Sequence, residues 1–137
     1  MQYIVVFDTN VLISTLLSTA SNPFRCLALA KIRKIESVTC QEILNEFSEK
    51  LIVKFKFSQE KTQAAIEEIR SFSRLVEIST ELRVVPADPD DDMVVECAVV
   101  GGATHIVTGD KHLLSLGQYQ KITIIKATEF VALLSQF

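Results

Sequence analysis

The sequence predicts an α/β fold in three layers, a central parallel sheet of four to five strands flanked by helices. Three observations carry that prediction. Tyr3–Phe7 is a short, continuously apolar, β-rich run, the pattern of a strand covered on both faces. Runs of this kind alternate along the chain with segments of helical periodicity, which calls for crossover connections and parallel pairing. At 137 residues, with no internal repeat, low-complexity tract or linker, the chain fits one domain, residues 1–137.

The elements follow in order. Asp8 ends the first strand, and a helix is expected over Val11–Leu17. Asn22-Pro23 supplies an N-cap and an N1 proline for a second helix reaching Ile32. Ser37-Val38 reads as a short strand. Thr39-Cys40-Gln41-Glu42 matches the capping-box pattern and opens a helix to Val53. Ser58 caps the next, in which Ala65, Ile66, Ile69 and Phe72 recur at helical spacing. Leu75–Ile78 reads either as a strand or as the end of that helical hairpin. Thr80–Asp91 holds the two later prolines and is the clearest loop. Met93–Val100 is an apolar helix closed by Gly101-Gly102. Thr104–Val107 is a strand, Asp110–Leu114 a short helix and Ile122–Ile125 the last strand. Thr128 then caps a final helix to Leu134.

Composition narrows the function. With 48% hydrophobic and 23% charged residues, eight Phe and no Trp, the chain can bury a sizeable core. A net charge of −3 excludes a polybasic nucleic-acid binder, though not an enzyme that meets RNA locally. Cys26, Cys40 and Cys97 are odd in number, far apart and without CxxC spacing, so they read as small core residues of a reducing compartment. Asp8 and Asn10 interrupt the apolar run Met1–Leu17, which has no basic leader, and no stretch nears the roughly 20 apolar residues of a membrane helix. A cytoplasmic protein is the expectation.

In a parallel sheet, ligands sit beyond the carboxyl ends of the strands. Asp8 stands directly after the first strand, Asp110 follows the strand Thr104–Val107 after Thr108-Gly109, and Asp88, Asp90, Asp91 and Asp92 open the Met93 helix. Any one of these is adequately explained as a cap or a dipole-favoured first-turn acid, worth about 0.3–1 kcal/mol. The set is not, because carboxylates gathered on one rim repel each other unless a cation joins them. Mg²⁺ needs only one or two protein carboxylates besides water and phosphate oxygens. On the helix after Thr39, Ile43, Leu44, Phe47 and Leu51 form the buried stripe. At about 100° per residue, Glu46 lies roughly 115° from its centre, nearer the boundary than Glu42 or Glu49.

The segments VVFDTNVLISTLL, QEILNEFSEKL and DPDDDMVVECAVVGGATHIVTGDKHLL resemble, in order and from Tyr3 to Leu134, the PIN domain. The closest branch is that of VapC-like toxins of type II toxin–antitoxin pairs. Carried over residue by residue, the family's four acids fall on Asp8, Glu46, Asp92 and Asp110. Asp92 lies sixteen residues before Thr108, and the aspartate run offers Asp91 or Asp90 in its place. Thr9, Asn10 and Thr108 match the polar positions supporting the acids. The resemblance implies a Mg²⁺- or Mn²⁺-dependent endoribonuclease that hydrolyses RNA through metal-activated water, with Asp8 and Asp92 as the principal metal anchors. It also implies an antitoxin partner and a homodimer, for which Phe55 and Phe57 are candidates unless the core holds them.

RNA must approach this acidic rim. Lys50, Lys54, Lys56 and Lys61 form one basic group, Lys31, Arg33 and Lys34 another, and each either tracks phosphates or is simply solvated. Lys111 and His112 adjoin Asp110, whereas His105 reads as structural. Two rivals remain. A haloacid-dehalogenase-like phosphatase also places an aspartate after its first strand, but needs an acid/base two residues later, where Asn10 stands. An inactive PIN-fold module binding RNA or protein would be marked by a lost acid, and all four candidates are present.

Overall fold

The computed structural model describes residues 2–135. Strand β1 (Ile4–Phe7) lies at the centre, with Val5, Val6 and Phe7 buried as a doubly covered strand requires. It pairs in parallel with β2 (Glu36–Cys40) on one side and β4 (His105–Val107) on the other. Beyond β2 lies β3 (Ser73–Val76), and beyond β4 lies β6 (Ile122–Ile125), both again parallel. A two-residue strand, β5 (Gln118–Tyr119), pairs antiparallel with β6 and completes a six-stranded sheet ordered β3-β2-β1-β4-β6-β5. The parallel core matches the expected architecture. Two residues carry no periodicity, which is why β5 was invisible in the sequence.

Helices α1 (Thr9–Leu17) and α2 (Asn22–Lys31) link β1 to β2, and α3 (Gln41–Val53) and α4 (Gln59–Phe72) link β2 to β3. Helix α5 (Pro89–Gly101) carries the chain back across the sheet to β4. A short α6 (Lys111–Leu116) follows β4, and α7 (Ala127–Leu134) closes the chain against α2. The first two crossovers travel towards one edge and the third towards the other. Right-handed connection therefore puts α5 on the face opposite α1–α4, where it packs on β1, β2, β3 and β4. Strand order reverses between β1 and β4, which makes the carboxyl rim there the switch point where α/β sheets bind ligands.

Several local expectations are corrected. The capping box at Thr39 does not form: β2 runs through Cys40, which pairs with Val76 and becomes an N-cap without a side-chain bond, while Thr39 Oγ1 is buried without a partner. Ser21, not Asn22, caps α2, accepting from the Phe24 amide at 3.3 Å. Thr128 lies inside α7, which Lys126 precedes as N-cap, and instead accepts from Asn22 Nδ2 at 3.2 Å. Ser58 caps α4 as expected, accepting from the Lys61 amide at 3.1 Å. Gly102, at φ +68, ends α5 in the left-handed conformation. The three cysteines are free and buried, and Phe55 and Phe57 are partly buried against their own core. Among the described residues no helix is long and apolar enough to cross a membrane.

Candidate metal centre

Asp8 is held rigidly where β1 becomes α1. As N-cap of α1 it accepts from the Thr9 amide at 2.7 Å through Oδ1, and from Thr108 Oγ1 at 2.7 Å through Oδ2. The Thr108 hydroxyl in turn accepts from the Asp110 amide at 3.0 Å, so one buried threonine at the end of β4 sets the spacing of two acids. Burial pushes the Asp8 carboxyl above the usual range, and the charge of Asp110 adds to this. The bonds from Thr108 and Thr9 and the charge of Lys50 pull the other way.

Asp110 caps α6, its Oδ1 accepting from the amides of His112 at 2.7 Å and Leu113 at 3.3 Å. Burial opposes its ionisation, but those two amides and the adjoining Asp91 outweigh it and hold the carboxyl below its ordinary value. Asp91, in the first turn of α5, is the complement. It is 5% exposed, and its Oδ2 is buried with no hydrogen-bond partner. Burial, then the Asp110 carboxyl beside it, then the charges of Asp110, Asp8 and Asp88 push it up to about 8. Without a counter-ion, Asp91 keeps the proton and Asp110 stays ionised.

Asp88, the N-cap of α5, accepts from the Asp90 amide at 3.0 Å, and Asp88, Asp91 and Asp110 each place an oxygen within 4.8 Å of the others. Octahedral Mg²⁺ holds ligand oxygens about 3–4 Å apart, so a modest contraction would suit it. An orphaned buried carboxylate oxygen among all-oxygen donors, with no sulfur or imidazole in the cluster, fits a hard divalent cation.

Asp92 is not part of this cluster. Its Oδ1 accepts from the amides of Val84 and Val85, both at 2.8 Å, which tie the loop before α5 to the helix. Of the three aspartates the run left open, Asp91 is the one whose oxygen lies with those of Asp88 and Asp110. Helix α5 begins at Pro89 rather than Met93, and counting from there puts Asp91 on one stripe with Val94, Val95 and Ala98 and Asp92 on another with Glu96. That period was the signal available in the sequence. Asp88, counted among the rim acids but not among the four site acids, joins the cluster from the N-cap of α5.

Glu46 sits at the margin, paired with Lys50 Nζ at 3.0 Å. Burial raises its carboxyl, Lys50 opposes this, and the charges of Asp90 and Asp8 reinforce it. Asn10 Oδ1 accepts from the same Lys50 Nζ at 3.2 Å, and Thr9 Oγ1 is buried without a partner. Lys54, Lys56 and Lys111 are exposed, with Lys54 over the Phe55 ring at 5.5 Å. Lys31 pairs with Glu68, and Arg33 donates to the carbonyls of Ser71 and Phe72, so both serve the fold. His105 packs at a tilt against Tyr3 and Phe130, at the end of β4 opposite the rim.

A PIN domain family model matches residues 4–112. Among solved structures, VapBC2 from Rickettsia felis, bound to a DNA fragment from its promoter, superposes with a TM-score of 0.59 at 16% identity, over 88% of this chain and 96% of that one. The PIN domain of T. brucei RRP44 superposes with a TM-score of 0.56 at 11% identity, over 99% of this chain and 83% of that one. At these identities the likeness is one of fold. No curated protein matches the sequence.

Proposed function

Since the chain belongs to the PIN-domain family, whose members are generally nucleases, we propose that it is a metal-dependent endoribonuclease with Asp8, Asp91 and Asp110 at its centre. The observation that carries this reading is the Asp91 carboxyl, buried beside Asp110 with one oxygen unpartnered. A divalent ion bound there, Mg²⁺ or Mn²⁺, would supply a polarised phosphate and an activated water, so no protein nucleophile is needed.

The side chains have separable duties. Thr108 and the Thr9 amide fix the Asp8 carboxylate before any ligand arrives, so its ligating geometry costs no reorganisation. Asp91 would release its proton to solvent on binding a cation, and Asp110, held below its ordinary value, would complete the charge on the other side. Asp88 offers a further oxygen at the mouth. Glu46 and Asp90 line the outer margin, where Glu46 orients water or substrate. Lys111, exposed next to Asp110, would meet a phosphate of the bound strand, with the exposed Lys54 and Lys56 as further phosphate contacts.

The fold likeness to the VapBC2 complex fits a toxin role with a protein antitoxin as partner, which would set the protein in the cytoplasm. A homodimer is part of this reading, and Phe55 and Phe57, partly buried in the monomer, leave some apolar surface for it.

The deciding experiment incubates single-stranded RNA with purified protein in Mg²⁺ or EDTA. Cleavage in Mg²⁺ alone, lost in Asp8→Asn and Asp91→Asn, is expected. Equal cleavage in EDTA, or an unimpaired Asp91→Asn enzyme, overturns the proposal. RNA bound but never cut would favour the inactive binding module.

A further inference from the structure

The acids at this rim fall into two groups that differ in what neutralises them. On the α5–α6 side, Asp88, Asp91 and Asp110 bring oxygens within 4.8 Å of one another, and among the described residues no basic side chain pairs with any of them. On the α3 side a cation is already built in. Lys50 stands one helical turn after Glu46, its Nζ 3.0 Å from Glu46 Oε1 and 3.2 Å from Asn10 Oδ1. The bond to Asn10 reaches from α3 across to α1, so the ammonium is tied to two elements rather than swinging freely along its own helix. Both paired side chains are partly shielded, at 35% exposure for Lys50 and 19% for Glu46.

The geometry points to Lys50 as a resident cation standing where a second metal ion would bind, so that the centre takes one divalent ion rather than two. This rests on the metal-centre reading above. Two-metal hydrolytic sites hold their ions about 3.5–4 Å apart, so a second ion needs carboxylates beyond those of the first. Here those would be Glu46 and Asp90, with Asp8 between the groups. A second divalent ion on Glu46 would lie within a few ångström of an ammonium bound to the same carboxylate. It would have to displace that ammonium from Glu46 and Asn10 together. The Lys50 charge also acts on Asp8, which the two ions would share, and on Asp90, which the second would take.

Mn²⁺ is the probe. The metal-free full chain is titrated with Mn²⁺, with free ion counted by its electron paramagnetic resonance signal and bound ion examined frozen. Wild type is expected to take up one Mn²⁺ per chain, with the spectrum of an isolated ion. Lys50→Met opens the Glu46 corner and should take up two, with the broadened spectrum of a spin-coupled pair. Lys50→Arg keeps the charge and should stay at one. Lys50→Gln replaces the Met variant if that one does not fold. Two ions in wild type overturn the proposal. So does a folded Lys50→Met or Lys50→Gln protein that still binds one, including the case where it loses only RNA affinity and Lys50 is thereby a phosphate contact. Failure of the underlying reading looks different: no Mn²⁺ uptake in wild type, or uptake indifferent to Asp91→Asn, removes the metal centre itself.

Discussion

Adjacent residues in the run Asp90-Asp91-Asp92 have opposite fates, and the difference lies in hydrogen bonds. Asp92 is buried and satisfied by two backbone amides, whereas Asp91 is buried and left with an oxygen that nothing in the chain satisfies. An unmet buried carboxylate oxygen is costly, and the metal-free protein lowers that cost by holding a proton on Asp91 up to about pH 8. The folded chain thus binds this proton more tightly than the unfolded chain, whose aspartate titrates near its ordinary 3.8. The stabilisation from Asp91 is complete below that ordinary value and is lost as pH rises towards 8. Metal-free wild type should therefore lose stability between pH 5 and 8 relative to Asp91→Asn, which has no proton to lose. Urea midpoints of the two proteins across that range test this, and parallel curves would contradict it. Mg²⁺ must expel the same proton, so its affinity should weaken below pH 8, by up to about tenfold per unit.

At the scale of the element, α5 works with two faces. The stripe of Asp91, Val94, Val95 and Ala98 seats the helix on the sheet and delivers one acid to the rim. The stripe of Asp92 and Glu96 holds the long connection from β3. Glu96 accepts from the amides of Ser79 at 2.6 Å, Thr80 at 3.1 Å and Leu82 at 3.1 Å and from the Ser79 hydroxyl at 2.9 Å. Burial opposes its ionisation, but these donors outweigh it and hold the carboxyl below its usual range. Bonds to a charged group contribute about 1.5–3 kcal/mol each before the cost of burial. Glu96→Ala should cost about 2–4 kcal/mol and expose residues 79–85 to protease while leaving Mn²⁺ uptake intact. Limited proteolysis alongside a Mn²⁺ titration separates the two faces; loss of metal binding with the loop still protected would show that the division is wrong. Long elements were legible in the sequence because period and caps agreed, as in α4 with Ser58. Which aspartate faces the rim is readable only with the helix starting at Pro89, because a start at Met93 leaves all three ahead of the helix, where no period of about 100° orders them. The carboxyl-rim location of Asp8 and Asp110 does not depend on that start, since strand direction alone sets it.

For the molecule as a whole, a sheet with order β3-β2-β1-β4-β6-β5 brings Asp8 after β1, Asp110 after β4 and Asp91 in the first turn of α5 onto one rim, and nothing local in the chain brings them together. Alternation of strands and helices was enough to foresee this, whereas Lys50's place among the acids needed the packing of α3 on α1. Like charges held at a rim by the rest of the fold mean that the metal-free molecule is strained against itself. A cation that binds only the folded state then stabilises it by mass action. At tenfold excess over its dissociation constant the gain is about 1.4 kcal/mol, which for a domain of this size raises the melting temperature by about 5 °C. Mg²⁺ should produce a shift of that order in EDTA-treated wild type, and Asp8→Asn or Asp91→Asn should melt higher than wild type without metal yet respond little to it. Asp92→Asn should behave oppositely: lower melting throughout, because two backbone amides lose a charged acceptor, with the Mg²⁺ shift preserved. Differential scanning calorimetry of the four proteins reads both effects in one series. A wild-type melting temperature indifferent to saturating Mg²⁺ would mean that the rim relieves its charge by protonation alone, and that the fold has no divalent ion to wait for.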